Sequence, residues 1–369
     1  MIALASSLAL AGCSSGSLNT GSDTATKKAN ITVGKTGVQS DIGSITKYCG
    51  TKPITVALAD GFGGNSWRKI TKQVFIEDAK KCKNIKKVLY TDAQGDTQKA
   101  ISDINSLVAQ KVDVIVTFVD GGQALLPTIK KATAAGVKVV PYVGSPGGTP
   151  GKDYTDFVAE DIKTYGENLA NWTIKAMGGK GNLVMLGGIA GNSYSQGVFD
   201  GVVAAAKKNP GIKLLDADAP VATDWEPGKT QQVVAGLITK YGQIDGIVSD
   251  YGGGSVGGVR AFIAANKPIP PWSANDSNSF SCLWYQYKDS QPRYQIATES
   301  SRNWVVQEAL NKGLAAFNGI DNTEPSIFNL QIIEDSTDPS KQPNCQKDLP
   351  DDAILSSGLT VPQLKDLFK

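Results

Sequence analysis

Short apolar runs alternate along the chain with segments whose apolar residues recur at helical spacing. The clearest run, Val112–Val119, is almost continuously apolar, which is typical of a parallel strand covered on both faces. Segments with helical periodicity, such as 97–110, follow these runs repeatedly, and this alternation is typical of parallel sheets. The strands are too many for one small sheet, and a Pro/Gly-rich break occupies residues 145–151. The sequence therefore predicts an α/β fold of two Rossmann-like lobes with parallel sheets.

The first strand-like run, Ile54–Asp60, leads into a glycine-rich loop that ends at Asn65-Ser66-Trp67. Glycine lets the backbone turn sharply and approach a ligand closely, and Asn65 is suited to cap the helix that follows. Ligands of open α/β sheets bind beyond the carboxyl ends of the strands. We therefore expect this stretch to form one wall of a ligand-binding cleft.

The composition narrows the chemistry that such a cleft can perform. The 369 residues include no histidine, which excludes Ser-His-Asp and Cys-His catalysis and the usual zinc ligands. A net charge of +2 gives no indication of a nucleic-acid-binding surface. Residues 252–257 match G-x-G-x-x-G, but Asp250 precedes them where it would repel a pyrophosphate, so a tight strand-to-helix turn is the better interpretation. Catalysis by carboxylates or lysines stays open on composition alone.

The N-terminus resembles a bacterial lipoprotein signal. Residues 2–11 are apolar but too short to span a bilayer, and they lead into Leu10-Ala11-Gly12-Cys13 and a Ser/Gly run. In such signals the cysteine is lipidated and becomes the mature N-terminus, so Cys13 is the expected lipidation site. Residues 1–13 are assigned to the signal. Residues 14–48, rich in Ser, Thr, Gly and Lys, are predicted to form a flexible tether.

The remaining cysteines are Cys49, Cys82, Cys282 and Cys345. An even number of cysteines in an exported protein indicates two disulfides. The sequence alone leaves all three possible pairings open.

Four motifs stand at strand and loop positions of this pattern: Asn65-Ser66-Trp67, residues 109–116 (AQKVDVIV), 134–141 (AAGVKVVP) and 188–193 (GIAGNS). With the order of elements, they make residues 53–333 resemble the sugar-binding periplasmic proteins of ABC transporters, the type I solute-binding proteins of the ribose- and galactose-binding kind. The resemblance implies two lobes joined by a three-crossing hinge, which close over a ligand. The implied lobes are 49–156 plus 300–328, and 157–299 plus 329–369.

The resemblance also implies which side chains line the cleft. Trp67 and Trp225 match aromatic positions in the two lobes, where two rings would enclose the apolar faces of a sugar. Arg68 would supply a cation, because ribose binders carry an Asp-Arg pair where this chain has Val143-Gly144. Asp276 matches a carboxylate that accepts hydrogen bonds from hydroxyls. The full implied set, with Thr298 as the alternative to the last member, is Asn65, Trp67, Arg68, Asp120, Tyr142, Gln196, Trp225, Asp250, Tyr251, Asp276 and Glu299.

The implied topology selects among the disulfide pairings. Cys49 and Cys82 flank the first strand–helix unit of one lobe, whereas Cys282 and Cys345 both lie in the other. A bridge between the lobes would obstruct hinge motion. The resemblance therefore implies the pairs Cys49–Cys82 and Cys282–Cys345.

The function implied by the resemblance is that of a binding protein, not an enzyme, with no catalytic residue, no metal and no cofactor. It would be a monomer outside the cytoplasm, in the periplasm or at the cell surface, held to the membrane only by its lipid. It would capture a sugar or polyol and deliver it to a membrane ABC permease. The alternative on this scaffold is a receptor for a signalling molecule or another small polar solute. Transcription regulators use similar lobes, but the N-terminal segment has no room for their DNA-binding helix-turn-helix, so no nucleic-acid partner is expected.

Overall fold

A computed structural model describes residues 29–369, so the predicted signal and Cys13 lie outside the described residues. The strands are β1 (Thr36–Gly37), β2 (Ile54–Asp60), β3 (Ile85–Asp92), β4 (Val114–Phe118), β5 (Lys138–Tyr142), β6 (Ala159–Glu160), β7 (Gly181–Gly187), β8 (Ile212–Leu214), β9 (Val221–Ala222), β10 (Gly246–Ser249), β11 (Trp272–Asn275), β12 (Ile296–Glu299), β13 (Ile327–Phe328) and β14 (Ile332–Asp335). The helices are α1 (Ser66–Ala79), α2 (Thr97–Ala109), α3 (Leu126–Ala134), α4 (Ile162–Ala176), α5 (Ser193–Lys208), α6 (Pro227–Tyr241), α7 (Gly252–Ala264), α8 (Asn278–Tyr287), α9 (Val305–Asn318) and α10 (Val361–Leu367). None of these helices has the length and apolarity that crossing a membrane requires.

The N-terminal lobe is built on a parallel sheet in the order β3-β2-β4-β5. Every residue of β4 is buried, because helices cover both faces of this central strand. Helix α1 begins where Asn65 accepts a hydrogen bond from the Arg68 N–H, so the predicted N-cap is confirmed. This cap sets the direction in which the first turn of α1 leaves the end of β2.

The C-terminal lobe is built on a second sheet in the order β14-β12-β11-β10-β7-β8, with β9 also paired to β7. Its strands are parallel except for β14, which runs antiparallel to β12. The predicted α/β fold of two lobes with parallel sheets is therefore confirmed.

The three implied crossings between the lobes lie after β5, after β12 and after α9. Two of them contribute the short parallel strands β6 and β13, which pair with each other at the hinge. The resemblance assigned residues 329–369 wholly to the C-terminal lobe, and this assignment needs correction. Helix α10 packs on α1 of the N-terminal lobe, so the chain crosses a fourth time between β14 and α10.

The N-terminal segment departs from the predicted tether. Residues 29–48 pack against the folded protein, because β1 adds a parallel strand to β13 and Ile45 is 1% exposed in the core. The tether prediction for 14–48 is therefore wrong for this part of the segment. The polar composition of this segment predicts a tether. A short edge strand, however, needs only a few apolar side chains and free backbone groups, and composition does not reveal these.

The structure contains the disulfides Cys49–Cys82 and Cys282–Cys345, with Cα atoms 5.3 and 4.6 Å apart. Both implied pairs are confirmed. Each disulfide joins two cysteines that were assigned to the same lobe, so neither disulfide restrains the hinge directly.

A fully buried lysine joins three segments at the hinge. Lys312 on α9 donates to the carbonyl oxygens of Thr32 and Glu324, both at 2.7 Å, and lies 3.5 Å from an oxygen of Asp156. Glu308, one turn earlier on α9, lies 3.7 Å away. The ammonium thus links the N-terminal segment, the first crossing and the third crossing.

Replacement of Lys312 by methionine is expected to lower the free energy of unfolding by roughly 3–5 kcal/mol, because it leaves buried carboxylates without their cation. Urea unfolding monitored by circular dichroism measures this change. Lys130→Met is the matched control, because Lys130 is 53% exposed beside Asp153 and such a pair contributes less than about 1 kcal/mol. Equal losses in the two variants would contradict a specific role for the buried cation.

Candidate ligand-binding cleft

The carboxyl ends of the strands in the two lobes face one another across a small cavity. This is where ligands of open parallel sheets are expected. The lining residues come from both lobes and from the second crossing: Asn65, Trp67, Arg68, Phe118, Tyr194, Trp225, Asp250, Tyr251, Asn275 and Arg302.

Trp67 forms an aromatic wall on the side of the N-terminal lobe. Its ring stacks on Tyr142 with centroids 6.5 Å apart and meets Phe118 edge-on at 5.8 Å. Its indole Nε1 donates to the carbonyl oxygen of Ser301 at 2.6 Å. The ring is therefore held both by packing and by a directional bond to the second crossing.

Arg68 is the buried cation of the same wall. Its Nη1 donates to Asp60 at 2.8 Å and its Nη2 to Asp120 at 2.9 Å. The guanidinium carbon lies 3.5 Å from the ring centroid of Phe118. Burial by itself lowers the pKa of Arg68, but the two carboxylates outweigh it and raise the pKa above its ordinary value. Arg68 therefore remains charged and already has two anionic partners.

Trp225 forms the facing wall in the C-terminal lobe. Its Nε1 donates to Asp250 at 2.9 Å, and the other oxygen of Asp250 accepts from the Ser195 hydroxyl at 2.5 Å. Burial raises the pKa of Asp250 to about 6. Asp224 and Trp225 both have a positive φ, of 53° and 57°. Such backbone geometry is costly for residues other than glycine and concentrates at functional sites.

Arg302 is the second buried cation of the cavity. Its Nε lies 2.5 Å from Glu160 on β6, and its guanidinium lies 4.5 Å from the ring centroid of Tyr194. Its buried Nη1 makes no hydrogen bond to any of residues 29–369. A donor with this geometry is free to bind an oxygen atom of a ligand.

The two lobes are in contact around the cavity. The Asn192 side chain of the C-terminal lobe donates to Asp120 of the N-terminal lobe at 2.8 Å, and Phe62 meets Trp225 edge-on at 5.7 Å. The lobes are therefore closed on each other.

Comparison with known proteins places this geometry in a family. A profile described as "Periplasmic binding protein domain" matches residues 56–282, more than half of the chain. The chain belongs to the periplasmic binding protein family. Members of this family bind substrates and do not transform them, so the prediction that the chain is not an enzyme is confirmed.

Two curated relatives and one solved structure illustrate the similarity. The chain is 27% identical over 192 residues to a xylitol-binding protein of Mycolicibacterium smegmatis, covering 52% of this chain and 53% of the relative. It is 24% identical over 243 residues to a D-xylose-binding periplasmic protein of Haemophilus influenzae, covering 62% and 69%. The match thus spans about half the length of the first of these relatives. An ABC transporter solute-binding protein from Thermobispora bispora superposes with a TM-score of 0.66 at 24% identity, over 76% of this chain and 85% of that one.

The structure of this periplasmic binding protein brings together many of the residues implied by the sequence. Asp120 and Tyr142 support the wall from behind, where Asp120 contacts Arg68 and Tyr142 contacts Trp67. The implied residues that line the cavity directly are Asn65, Trp67, Arg68, Trp225, Asp250 and Tyr251.

Three implied residues are placed elsewhere and need correction. Gln196 is exposed and binds Asp200, because the phase of α5 directs Tyr194 towards the cavity instead. Asp276 accepts hydrogen bonds from Ser301 and Ser356, so its oxygens are already occupied by the protein. Glu299 is fully buried on β12 and is absent from the cavity lining.

Sequence reasoning missed Phe118, Tyr194, Asn275 and Arg302. Phe118 and Asn275 are the last residues of β4 and β11, so the strand-end rule contained a signal for both. Arg302 has no such signal, because it lies in the second crossing with a positive φ of 45°.

Glu299 gives this binding protein a pH-dependent stability. Burial raises the pKa of Glu299 from 4.5 to about 8, and the nearby Glu160 carboxylate adds to the shift. Between these values the folded protein retains a proton that the unfolded chain releases. The free energy of unfolding is therefore expected to fall as the pH rises through this window, by at most about 1.4 kcal/mol per pH unit.

Glu299→Gln removes this titration. We expect the variant to be more stable than the parent at pH 8 and to show a flatter profile from pH 5 to 8. Urea unfolding at half-unit pH steps measures both curves. Parallel curves would show that Glu299 does not titrate in this range.

Proposed function

We propose that this protein captures a neutral monosaccharide or polyol in the cleft and delivers it to a membrane ABC permease. The observation that carries the proposal is the charge balance of the cleft. Arg68 is paired with Asp60 and Asp120, and Arg302 is paired with Glu160. Among the described cleft residues these carboxylates balance both cations, which disfavours an anionic ligand, whereas a neutral polyhydroxylated ligand has both donors and acceptors to offer.

The surfaces of the cleft support a small ligand. Aromatic side chains line the cavity together with a few amide and charged groups, which is the composition of a small-molecule site. Trp67 and Trp225 offer apolar faces for the C–H groups of the ligand, while Asn65, Asn275 and Arg302 offer amide and guanidinium groups for its oxygens. The two relatives are named for binding xylitol and D-xylose, which are a polyol and a monosaccharide, the ligand classes proposed here.

Delivery follows from closure of the lobes. Ligand contacts made by both walls stabilise the closed state relative to the open one, which is the requirement for a ligand-driven conformational change. In our proposal the protein acts as a monomer outside the cytoplasm and is anchored through a lipid on Cys13, as the Leu10-Ala11-Gly12-Cys13 motif supports. The docking partner is a permease that recognises the closed lobes.

A calorimetric titration tests the ligand class. The panel contains pentoses, pentitols, hexoses, disaccharides and the aldonic acids that match the sugars. We expect saturable binding of at least one neutral five- or six-carbon compound, weaker binding of the matched acid and no binding of disaccharides. Tighter binding of the acid than of the matched sugar would overturn the argument from charge balance. Failure of every compound in the panel to bind would contradict a sugar ligand altogether.

A pair of glycine substitutions tests the position of the cleft. A Cβ atom at Gly188 would overlap the indole of Trp225, whereas a Cβ atom at Gly236, exposed on α6, would meet no atom of residues 29–369 within 4 Å. We expect Gly188→Ala to weaken affinity for the ligand found above by about tenfold or more, because Trp225 must move. Gly236→Ala should leave affinity unchanged and stability equal to the parent or up to about 1 kcal/mol higher. Parental affinity in a folded Gly188→Ala variant would place the ligand elsewhere.

A further inference from the structure

Residues 346–367, which we call the C-terminal strap, are fastened at their start to the C-terminal lobe. The strap follows the Cys282–Cys345 disulfide, which ties it to α8. The side chain of Asn278 at the start of α8 accepts from the Gln346 N–H at 2.9 Å and donates to the carbonyl oxygen of Pro350 at 3.0 Å. The Asn278 N–H in turn donates to Ala353 at 2.9 Å.

The other end of the strap is fastened to the N-terminal lobe. Thr360 and Gln363 form a capping box that begins α10, and Leu364 is buried. Helix α10 packs on α1, the helix that carries Trp67 and Arg68 in its first turn. The strap therefore connects the C-terminal lobe to the back of an element that forms the ligand cleft.

Between its two ends the strap makes a compact polar junction through Ser356. The Ser356 hydroxyl donates to Asp276 Oδ1 at 2.6 Å, and the Ser356 N–H donates to Asp276 Oδ2 at 3.1 Å. Asp276 Oδ1 also accepts from the Ser301 N–H at 2.7 Å, and the Ser356 hydroxyl lies 3.0 Å from that same nitrogen. Ser301 is thus held by one residue from the C-terminal lobe and one from the strap.

Ser301 passes this restraint to the aromatic wall. Its hydroxyl donates to the carbonyl oxygen of Asp276 at 2.7 Å, and its own carbonyl accepts from Trp67 Nε1 at 2.6 Å. The neighbouring Asn303 donates to the carbonyl oxygen of Trp67 at 3.0 Å. A continuous series of hydrogen bonds therefore runs from Ser356 through Asp276 and Ser301 to the ring of Trp67.

We propose that Ser356 is a positioning residue for the ligand cleft, which sets the orientation of the Trp67 ring through Asp276 and Ser301. The physical basis is that removal of the Ser356 hydroxyl takes a hydrogen-bond partner from two buried groups at once, the Asp276 carboxylate and the Ser301 N–H. The peptide of Ser301 can then shift, and the indole that donates to it shifts as well. The proposal rests on the proposed function, because it assigns Trp67 to a sugar- or polyol-binding wall.

A double-mutant cycle tests the coupling between Ser356 and Trp67. Ser356→Ala is expected to weaken affinity for the ligand identified from the panel by about tenfold in the parent. Trp67→Phe keeps an aromatic face but removes the N–H that reaches Ser301. In this background the further effect of Ser356→Ala should fall below about twofold. An equal loss of affinity in both backgrounds, or no loss in the parent, would overturn the proposal.

A measurement without ligand separates this proposal from the proposed function. Amide hydrogen exchange of a peptide that contains Ser301 should be faster in Ser356→Ala than in the parent. Ser340→Ala is the matched control, because the Ser340 hydroxyl is exposed and donates to Asp338 within a surface turn. Faster exchange with no binding across the panel would leave the series of bonds supported while the proposed ligand class fails. Unchanged exchange in Ser356→Ala would overturn the positioning role whatever the ligand is.

Discussion

The geometry of the cleft depends on one buried cation, Arg68. An unpaired guanidinium in this position would be very costly, so its partners have to be close and well oriented. Asp60 ends β2 and Asp120 follows β4, and Arg68 draws both loops towards the first turn of α1. The loops that carry the site are therefore placed by an electrostatic requirement in addition to the sheet.

The same cation relates the two walls of the cleft. Its guanidinium carbon lies 5.4 Å from the ring centroid of Trp67 and 5.8 Å from that of Trp225. Asp120 also accepts from Asn192 across the cleft, so one carboxylate serves both the N-terminal wall and the contact between the lobes. Packing alone is non-directional and would not fix these distances. The charge-assisted hydrogen bonds of Arg68 are directional and therefore fix these distances.

The parts of the fold that were predicted correctly are those in which burial controls the sequence locally. β4 is buried on both faces and therefore shows an uninterrupted apolar run, which is recognisable without any knowledge of its neighbours. Asn65 at the start of α1 was predicted for the same reason, because capping depends on the next few residues only. Errors arose where the pairing partner is remote. β1 pairs with β13, and α10 packs on α1, so neither element has a strong local pattern of its own.

By itself the sequence determined the alternation of strands and helices, the lack of histidine chemistry and the position of Trp67 in the first turn of the helix after β2, because each depends on composition or on neighbouring residues. Family resemblance added Trp225 and the disulfide pairs. Only the tertiary structure decided that Gln196 faces solvent, that Asp276 serves the C-terminal strap and that Arg302 reaches the cavity. The physical reason is that helix phase, hydrogen-bond satisfaction and the path of a crossing segment are settled by groups far apart in the chain. The stretch from Ile54 to Arg68 carries half of a cleft in its own residues, and the other half exists only when the two lobes meet.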